Sequence, residues 1–405
     1  MMRIRSRPRR PTLALLLLSS ALAASPALAQ DRRLTIRPDH GVPAGSPILI
    51  AAPDDLDPGL YALRSAPDAP AIDAVALAEG DARTLAFVAP EMAEPTTFVV
   101  SLSIRAPRDG EGVAFAPDGP NLKIQVDGDP LAVHHVDGPW KPFLWPLIGP
   151  SGKATTRSYP MEKVEGEDAD HPHQQSFWFS HGKVNDVDFW GPDKGIIRET
   201  SRAVVASGPV LGRLKTTDDW LAPDGAKVCE DERVLTVHDA AGVRVLDFEA
   251  TLKATVGPVV LGATKEGSFG VRVASSMDVD KKTGGKIKNA EALEDADAWG
   301  KPSSWVDYSG PVDGETVGIA ILNHPSSFRY PTPWHVRTYG LFAANPFGGP
   351  DFKIEGRGEH RLAQGESIRL AYRVILHDGP AEAIDLPRRF ALYAAPPDSS
   401  WEQDE

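Results

Sequence analysis

Residues 233–252 read RVLTVHDAAGVRVLDFEATL, and this stretch decides the fold class. Two runs of β-favouring residues, 233–237 and 243–252, flank a connection that contains Asp239 and Gly242, residue types that mark turns. The pattern predicts two strands that follow each other through a short turn. Strands connected in this way pair antiparallel.

The same pattern of short apolar runs and turn residues continues on both sides of this stretch. Further runs that read as strands lie at 121–126, 203–210, 259–263, 270–274, 317–322 and 367–376. Helical periodicity is scarce, since only residues 381–393 offer a short helix, and Pro387 lies inside it. The sequence therefore predicts an all-β fold whose main part is a large antiparallel β-sandwich.

A smaller unit is predicted ahead of this sandwich. Five short β-favouring runs occupy residues 34–36, 48–50, 60–63, 84–88 and 98–102. Residues 106–120 are rich in Pro, Gly and Asp without periodicity, and we interpret them as a linker or a long hairpin loop. We predict a small N-terminal β-sandwich domain at 30–120, the larger β-sandwich domain at 121–395 and an acidic tail at 396–405.

The first 29 residues have the composition of a signal peptide. Five arginines precede an apolar run at 13–24, and the Ala-Leu-Ala sequence at 27–29 is a pattern that a signal peptidase cleaves. The adjacent Arg9 and Arg10 leave a twin-arginine export route open. The apolar run has about a dozen residues, fewer than the roughly 20 that a membrane-spanning helix needs. We therefore expect an exported protein, periplasmic or extracellular, without membrane insertion.

The composition limits the classes of partner. The formal net charge is -13 at pH 7, and removal of a leader with five arginines and no acidic residue makes it more negative. Such an acidic chain repels the phosphates of nucleic acids, so binding of nucleic acid is not expected. Neutral small molecules are not excluded. Cys229 is the only cysteine, which rules out an intrachain disulfide and predicts a small buried apolar side chain.

Common enzymatic signatures are missing from the sequence. It contains no G-x-G-x-x-G, no P-loop, no G-x-S-x-G elbow, no H-E-x-x-H and no paired C-x-x-C. Dinucleotide, nucleoside triphosphate and serine-hydrolase chemistry are therefore disfavoured. What remains is a set of histidines, carboxylates and aromatic residues.

The densest group of chemically active residues runs from Tyr159 to Trp190. It contains HPHQQSFWFSHG at 171–182 and NDVDFW at 185–190. Residues i and i+2 of an extended backbone project from the same face, so His171 and His173 can converge on one point, where His181 could join them. Such a set could hold a divalent metal ion or share acid–base work; alternatively, the histidines only hydrogen-bond loop carbonyls. The candidate substrate-binding residues of this segment are Tyr159, Trp178, Asn185, Asp188 and Trp190.

A second group of candidates is spread over the C-terminal half. Glu266 precedes a strand-like run, and His335, Arg337 and Tyr339 share one face if their segment is extended. Aromatic faces beside such polar groups suit a pyranose ring, which stacks its C–H face on Trp or Tyr while its hydroxyls take hydrogen bonds. The other candidates of this group are Trp305, Asp307, His324, Trp334 and Asn345. Alternatively, Trp305 and Trp334 are ordinary core anchors.

Several strings occur in an order that resembles the soluble PmoA-like family. They are H-P-H, then F-W-F, then H-G-x-V-N-x-V-D-F-W, W-V-D-Y-S-G, N-H-P and W-H-V-R-x-Y-G-L-F-A-A-N-P-F-G. The resemblance covers roughly residues 133–376. Relatives often continue H-P-H with another His and an Arg, whereas this chain has Gln174 and Gln175, so His181 becomes the third member of the histidine set.

The resemblance implies a sugar-related function rather than the methane oxygenase of the family's label, because a membrane monooxygenase needs several hydrophobic spans. The family is often associated with exported carbohydrate-degrading systems. Its sheet architecture is similar to large sandwiches of the galactose-mutarotase type, which bind sugars on a concave face with a histidine and a carboxylate at the centre. This is an analogy of fold and context.

Three functions remain open on the sequence. The first is a carbohydrate-acting enzyme, a glycoside hydrolase, lyase or epimerase, in which a histidine polarises an oxygen, Glu266 or Asp307 acts as general base and Arg337 stabilises negative charge. Its catalytic candidates are His173, His335, Glu266, Arg337, Asp307 and Tyr339. The second is a metal-dependent oxidative enzyme that uses two histidines and a carboxylate. The third is a non-catalytic carbohydrate-binding protein. The expected ligand is a small molecule or an oligosaccharide, with one divalent metal ion as the candidate cofactor.

Overall fold

The computed structural model describes residues 31–192 and 194–403. The predicted signal peptide and its cleavage site lie outside the described residues, as do the last two residues of the predicted tail. No helix in the described part of the chain is long and apolar enough to cross a membrane.

Strands make up most of the regular structure. The first nine are β1 (Arg32–Arg37), β2 (Ser46–Ala51), β3 (Gly59–Arg64), β4 (Ile72–Glu79), β5 (Ala82–Ala89), β6 (Thr96–Leu102), β7 (Val113–Asp118), β8 (Asn121–Val126) and β9 (Asp129–His135). The next eight are β10 (Phe143–Trp145), β11 (Phe177–His181), β12 (Ile196–Ala206), β13 (Leu211–Leu221), β14 (Lys227–His238), β15 (Arg244–Lys253), β16 (Val259–Leu261) and β17 (Gly267–Arg272). The last eight are β18 (Lys286–Asn289), β19 (Trp305–Val312), β20 (Glu315–Asn323), β21 (Trp334–Val336), β22 (Leu341–Ala344), β23 (His360–Leu362), β24 (Ser367–Asp378) and β25 (Asp398–Gln403).

Helices are few and short in the described chain. They are α1 (Gly349–Phe352), α2 (Leu386–Ala394) and 3-10 turns at Ser275–Met277, Val279–Lys281, Asp295–Ala298 and Ala381–Ile384. The helix predicted at 381–393 corresponds to the last of these turns followed by α2. Pro387 lies in the first turn of α2, where a missing N–H costs no helical hydrogen bond, and Asp385 accepts a hydrogen bond from the Arg388 N–H at 3.3 Å.

Two eight-stranded sheets form the main body. What we call the front sheet has the order β21-β22-β17-β11-β10-β9-β8-β7, and the back sheet has the order β12-β13-β14-β15-β24-β20-β19-β18. Neighbouring strands pair antiparallel in both. Between the sheets lies one hydrophobic core, in which Phe177, Phe248 and Phe269 contact one another at ring-centroid distances of 4.8 to 5.4 Å. The predicted antiparallel β-sandwich is confirmed, and Cys229 lies in its core as a buried apolar residue.

The small N-terminal β unit is a seven-stranded sheet of order β2-β5-β4-β3-β6-β1-β25. Phe87 on β5 and Phe98 on β6 are three strands apart in this order, which is roughly 14 Å in a flat sheet. Their ring centroids are 6.2 Å apart, so the sheet folds over a single core. The predicted all-β fold with a small β unit ahead of the large sandwich is confirmed.

Two features of the chain path bear on the predicted domain limits. The division at residue 120 falls inside the hairpin of β7 and β8, which belongs to the front sheet, so the chain leaves the N-terminal sheet after β6. The predicted acidic tail contains β25, which pairs with β1 from Arg32↔Gln403 to Arg37↔Asp398. The end of the chain therefore returns to the N-terminal sheet. The division into separate domains stays a prediction.

The front sheet has one face toward the core and one face away from it. On β11, Phe177 and Phe179 belong to the core, so the intervening Trp178 points outward, as period-two alternation requires. By the same alternation Arg272 points outward on β17 and His335 on β21. We call this side the outer face, and it carries most of the residues described below.

Candidate functional site

The floor of the outer face is aromatic. Trp178 and Trp190 lie with ring centroids 5.1 Å apart, in a cluster with Phe143, Leu341 and Ala343. A Cβ atom at Gly270 would lie 2.6 Å from the Trp178 ring, so only glycine leaves room for this indole. Both indole N–H groups are buried without a hydrogen-bond partner in the described chain. Buried donors are normally satisfied, so two unpaired indole N–H groups beneath one face are an unusual feature of this sheet.

Lys141 is a buried cation beside this floor. Its ammonium lies 5.9 Å from the Trp140 ring centroid and 5.7 Å from that of Trp178, and it donates a hydrogen bond to the His173 carbonyl at 2.9 Å. Burial lowers the pKa of Lys141 to about 7, opposed by the negative charge of Asp188. Lys141 therefore anchors the segment that carries His173. Lys141 could not be predicted from the sequence, because a single lysine has no periodicity or spacing to mark it.

The loop that carries His171 is held by a fully buried arginine. Arg157 donates hydrogen bonds to the carbonyl oxygens of Tyr159, Asp168, Asp170 and His171 at 2.8 to 3.3 Å, and to the Asp170 carboxylate. Arg272 donates to the same carboxylate at 3.1 Å. Burial raises the pKa of Asp170, but Arg272 and Arg157 outweigh this and hold it at about 2. The carboxylate is therefore ionised and fixed in place.

His171 is oriented by Asp170 and by Tyr339. Its Nδ1 lies 2.8 Å from the Asp170 carboxylate, which can only accept, so Nδ1 carries the proton and Nε2 is left free to act on a ligand. Its ring stacks on the Tyr339 ring with centroids 5.4 Å apart and an interplanar angle of 9°. The His173 ring lies 5.7 Å away. The result is a carboxylate-oriented imidazole that is still 42% exposed.

Glu266 lies on a segment whose backbone is fixed at three consecutive carbonyls. The Thr264 carbonyl accepts a hydrogen bond from Asn345 at 2.9 Å, and the Lys265 carbonyl accepts one from His335 Nδ1 at 2.7 Å. The Glu266 carbonyl accepts one from the Gly182 N–H at 2.7 Å. Such support from buried groups fixes the position of the Glu266 side chain.

The carboxyl group of Glu266 itself has no hydrogen bond or ion pair with any described residue. Burial raises its pKa, while the nearby Lys265 and His171 lower it. Its charge in turn contributes to the raised pKa of Tyr339, for which burial is the largest cause. A fixed, unpaired and half-buried carboxyl group that senses His171 and Tyr339 has the properties of a general acid or base.

Tyr339 is the residue around which the other groups gather. The guanidinium groups of Arg272 and Arg337 lie 5.0 and 5.4 Å from its ring centroid, and the His171 ring covers it. Arg337 also lies 5.9 Å from the Trp299 ring. Of the predicted catalytic residues, the structure thus brings Glu266, Arg337 and Tyr339 together, with His173 and His335 adjacent. Sequence reasoning missed Lys141, Asp170, Arg272 and Trp299, which only tertiary packing brings to this face.

His335 supports this arrangement rather than facing a ligand. Its Nδ1 donates to the Lys265 carbonyl, and burial lowers its pKa to about 4, so the ring is neutral near pH 7. The side chain is only 2% exposed. His335 is therefore a positioning residue for the Glu266 segment, which differs from its predicted catalytic role.

Four predicted substrate-binding residues have structural contacts near the site. Asp188 accepts hydrogen bonds from the Trp190 and Gly191 N–H groups at 2.8 and 2.9 Å. Asn185 binds the backbone of Pro258 and Val260, and Asn345 binds the Thr264 carbonyl. The Tyr159 ring lies 5.4 Å from the Arg157 guanidinium. These residues shape the loops, whereas Trp178 and Trp190 form the floor.

The structure does not bring Asp307 to this site. Asp307 lies on β19 of the back sheet, where Val306 and Tyr308 face the core and Asp307 points to the opposite side. Its carboxylate lies 2.7 Å from His377 Nε2, and both side chains are buried. The position of Asp307 does not support its predicted general-base role beside the other candidates, because alternation shows which residues share a face but not which face carries a site.

Three further candidates also lie elsewhere. Trp334 is in the central core, where its indole N–H donates to the Ser303 carbonyl at 3.0 Å. Trp305 packs in a cluster with Leu386 at the start of α2. His324 contacts the Tyr393 ring at 4.9 Å on the same side of the back sheet. None of the three lies on the outer face, so their positions do not support the predicted substrate-binding role at this site. The alternative interpretation of the two tryptophans as core anchors fits their positions.

The predicted metal site is not formed. His181 shares the core-facing side of β11 with Phe179; its Nε2 lies 2.8 Å from the Gly262 carbonyl and its ring contacts Phe347. It therefore points away from His171 and His173. Within residues 31–192 and 194–403, no group of three or more His, Cys, Asp or Glu side chains is arranged to hold a metal ion. The donor set that an oxidative metalloenzyme needs is not assembled by these histidines.

From the position of Asp307 we expect its substitution to lower the stability of the fold without changing function. Asp307→Asn weakens the buried contact with His377, so we expect a loss of about 1–3 kcal/mol in the free energy of unfolding. Ligand binding and any turnover should stay within about twofold of the wild type, because the residue is on the far side of the back sheet. Urea unfolding and a kinetic or binding assay measure the two quantities. A large loss of activity at unchanged stability would restore the catalytic role of Asp307.

Asp278 lies under the turn that carries Tyr339. We expect this residue to make the stability of the fold depend on pH. Burial raises its pKa to about 7, although Arg272 and Lys281 lower it, and its Oδ1 is buried without a partner in the described chain. A folded-state pKa above the unfolded value near 3.9 means that the stabilising proton is fully bound below about pH 4 and is lost as pH rises through 7.

Asp278→Asn keeps a neutral side chain at every pH, so it removes this contribution. We expect the variant to lose less stability than the wild type between pH 5 and pH 8, by roughly 1–2 kcal/mol after solvent screening. Urea unfolding at the two pH values measures the difference. Parallel declines in wild type and variant would show that Asp278 is ionised throughout this range.

The chain belongs to the family of unknown function DUF6807, whose family model matches residues 121–391. This match covers every strand of the two large sheets except β7. The identification as a member of the PmoA-like family was therefore wrong, since the matching family is DUF6807. No curated protein sequence matches the chain.

Solved structures with a similar arrangement come from glycoside hydrolases. A glycosyl hydrolase family 38 protein from Enterococcus faecalis has a TM-score of 0.40 at 11% identity, over 93% of this chain and 48% of its own. An α-mannosidase from Enterococcus faecalis V583 has a TM-score of 0.39 at 11% identity, over 93% and 46%. A family 36 α-galactosidase variant from Geobacillus stearothermophilus, in complex with raffinose, has a TM-score of 0.35 at 10% identity, over 67% and 41%. The chain spans less than half the length of each of these proteins.

Proposed function

We propose that the chain is an exported enzyme that acts on a carbohydrate by general acid–base chemistry at the outer face of the front sheet. The observation that carries this proposal is the fixed, unpaired carboxyl group of Glu266 beside His171, Tyr339 and Arg337. Titratable groups with shifted pKa values and no structural partner concentrate at catalytic sites. Recognition alone does not require them.

The floor of the site supports a sugar as the ligand. The partly buried rings of Tyr339 and Trp145 pack against the buried Trp178 and Trp190, whose two N–H donors have no partner in the described chain. The hydroxyl oxygens of Ser180 and Ser268, which are paired on neighbouring strands, are also buried without partners in the described chain. A pyranose presents an apolar C–H face and a ring of hydroxyls, which complements this combination.

The proton transfers are assigned to Glu266 and His171. Glu266 exchanges a proton with the sugar, and burial favours this role because it raises the pKa of the carboxyl group. His171 does the same through Nε2, while Asp170 fixes its orientation. Arg337 stabilises negative charge that develops on oxygen. Hydrolysis, elimination and epimerisation of a sugar all require proton transfers of this kind alongside the other bonds that they make and break.

A non-catalytic carbohydrate-binding protein is the second candidate, and the unpaired indole donors favour it as much as they favour an enzyme. The two functions differ in turnover. The test is to incubate the purified chain with a panel of oligosaccharides and to measure products by mass spectrometry and binding by calorimetry in parallel. Products that the Glu266→Gln variant does not form support the enzyme. Binding without products identifies a binding protein, and neither binding nor products contradicts both.

A further inference from the structure

Arg337 has charge that the protein does not neutralise. Its guanidinium lies 5.4 Å from the Tyr339 ring centroid and 5.9 Å from the Trp299 ring centroid, and the side chain is half-buried. The guanidinium group makes no hydrogen bond and no ion pair with the described residues. The other arginine at Tyr339, Arg272, is already bound to Asp170 and Gln174. The Arg337 guanidinium is therefore a cation of this face that is free to bind a ligand.

The contacts of the Arg337 guanidinium with two aromatic rings use none of its hydrogen-bond donors. A guanidinium that contacts ring faces keeps its five N–H groups in its own plane, where they form a fork that matches the two oxygens of a carboxylate. A neutral hydroxyl would use one or two of these donors and leave the charge uncompensated. The geometry of the fork thus favours an anionic group with two oxygens in a plane.

The remaining charges of the outer face also favour an anion. Asp170 is paired with Arg157, Arg272 and His171, and Asp188 binds two backbone N–H groups and Lys194. The Glu266 carboxyl group is unpaired, and burial raises its pKa, which favours its neutral form. Lys265, beside it, is exposed and has no ion pair in the described chain. The site is therefore locally cationic on a chain whose net charge is -13.

We propose that the reacting sugar carries a carboxylate, as in a uronic acid, and that Arg337 binds this carboxylate. The inference rests on the proposed carbohydrate-acting function and gives it a substrate class. The planar fork of Arg337 matches the carboxylate of a uronic acid, whereas a neutral sugar has no group that compensates its charge and uses its paired donors.

A carboxylate held in this way prepares the substrate for elimination. Pairing with Arg337 acidifies the C–H bond on the ring carbon next to the carboxylate. A base of the site takes this proton, its electron pair forms a C=C bond to the next ring carbon, and the C–O bond of the glycosidic oxygen there breaks. That oxygen takes a proton from an acid of the site. The step balances without water or an oxidant, and Glu266 and His171 supply the two proton transfers.

The test compares oligouronates with their methyl esters, which have the same length and linkage but no carboxylate. Binding is measured by calorimetry on Glu266→Gln, alone and combined with Arg337→Gln or with the control Arg361→Gln, which removes one exposed positive charge on β23. We expect the acid to bind roughly 10- to 100-fold more tightly than the ester. Arg337→Gln should abolish this preference, Arg337→Lys should reduce it because a lysine has no fork, and Arg361→Gln should leave it unchanged.

Equal binding of acid and ester, or a preference that survives Arg337→Gln, would overturn the inference. Turnover by the wild-type chain shows whether only the uronate inference fails or whether the proposed enzymatic function fails as well. Products from neutral sugars without a preference for the acid would keep the enzyme and exclude the uronate. Binding of the acid through Arg337 without products would keep the recognition and exclude the enzyme. The ultraviolet absorbance of a conjugated product identifies elimination, whereas a saturated product would exclude that step.

Discussion

Glu266→Gln is expected to abolish turnover while leaving the fold and sugar binding intact. The amide has nearly the same shape as the carboxyl group but cannot exchange a proton, so the expected loss in kcat is about 100- to 10,000-fold. The backbone around it is fixed by Asn345, His335 and Gly182 through contacts that the substitution does not touch. KM should therefore change much less than kcat. Steady-state kinetics and a thermal unfolding curve measure both effects.

The matched control for this variant is Glu91→Gln, which makes the same chemical change at an exposed position of the N-terminal sheet region. It should leave kcat and KM unchanged. If Glu266 acts as a base, the wild-type rate should also fall as the pH falls through the raised pKa of Glu266. Turnover by Glu266→Gln within a few-fold of the wild type would remove Glu266 from the reaction and leave His171 as the only proton-transfer group assigned here.

Arg157→Leu is expected to give the largest loss of stability at the site. The guanidinium is fully buried and satisfies four backbone carbonyls and the Asp170 carboxylate. Leucine removes all of these donors, and although Arg272 still binds the Asp170 carboxylate and the Gln174 N–H still binds the His171 carbonyl, the free energy of unfolding should fall by on the order of 3 kcal/mol. Turnover should fall even at temperatures where the variant is folded, because the loop that orients His171 loses its support. Urea unfolding and kinetics at low temperature measure the two losses.

Arg105→Leu provides the comparison, since Arg105 is paired with Asp73 and Glu111 on the surface of the N-terminal region. Exposed ion pairs contribute about 0–1 kcal/mol, so this variant should be nearly as stable as the wild type. Similar losses in both variants would mean that the buried arginine is no more important than an exposed one. The account of the His171 loop would then need another source of rigidity.

The fold class could be predicted from the sequence because alternation and turn residues are local signals. The stretch at 233–252 forms β14 and β15, which pair antiparallel. The return of β25 to β1 could not be predicted, since pairing between segments more than 350 residues apart leaves no local pattern. The tail composition alone suggested only an acidic end.

The candidate site was predictable in part for the same reason. Alternation shows that His335, Arg337 and Tyr339 share a side of their segment, and density of chemical groups drew attention to His171 and His173. Alternation does not show which strands become neighbours. The sequence therefore could not reveal that Asp307 lies on the back sheet, away from the other catalytic candidates. Lys141 and Arg272 gain their roles from burial and from partners far along the chain. Contacts of that kind are set by tertiary packing.

The most direct test of the central claim is a crystal structure of Glu266→Gln with an oligosaccharide bound. The account predicts a sugar ring on the outer face of the front sheet, against Tyr339, with its reacting bond within hydrogen-bond reach of the residue 266 amide and of His171 Nε2. A sugar bound instead to the back sheet or to the N-terminal sheet, with the outer face free of ligand, would contradict the assignment of this face as the active site.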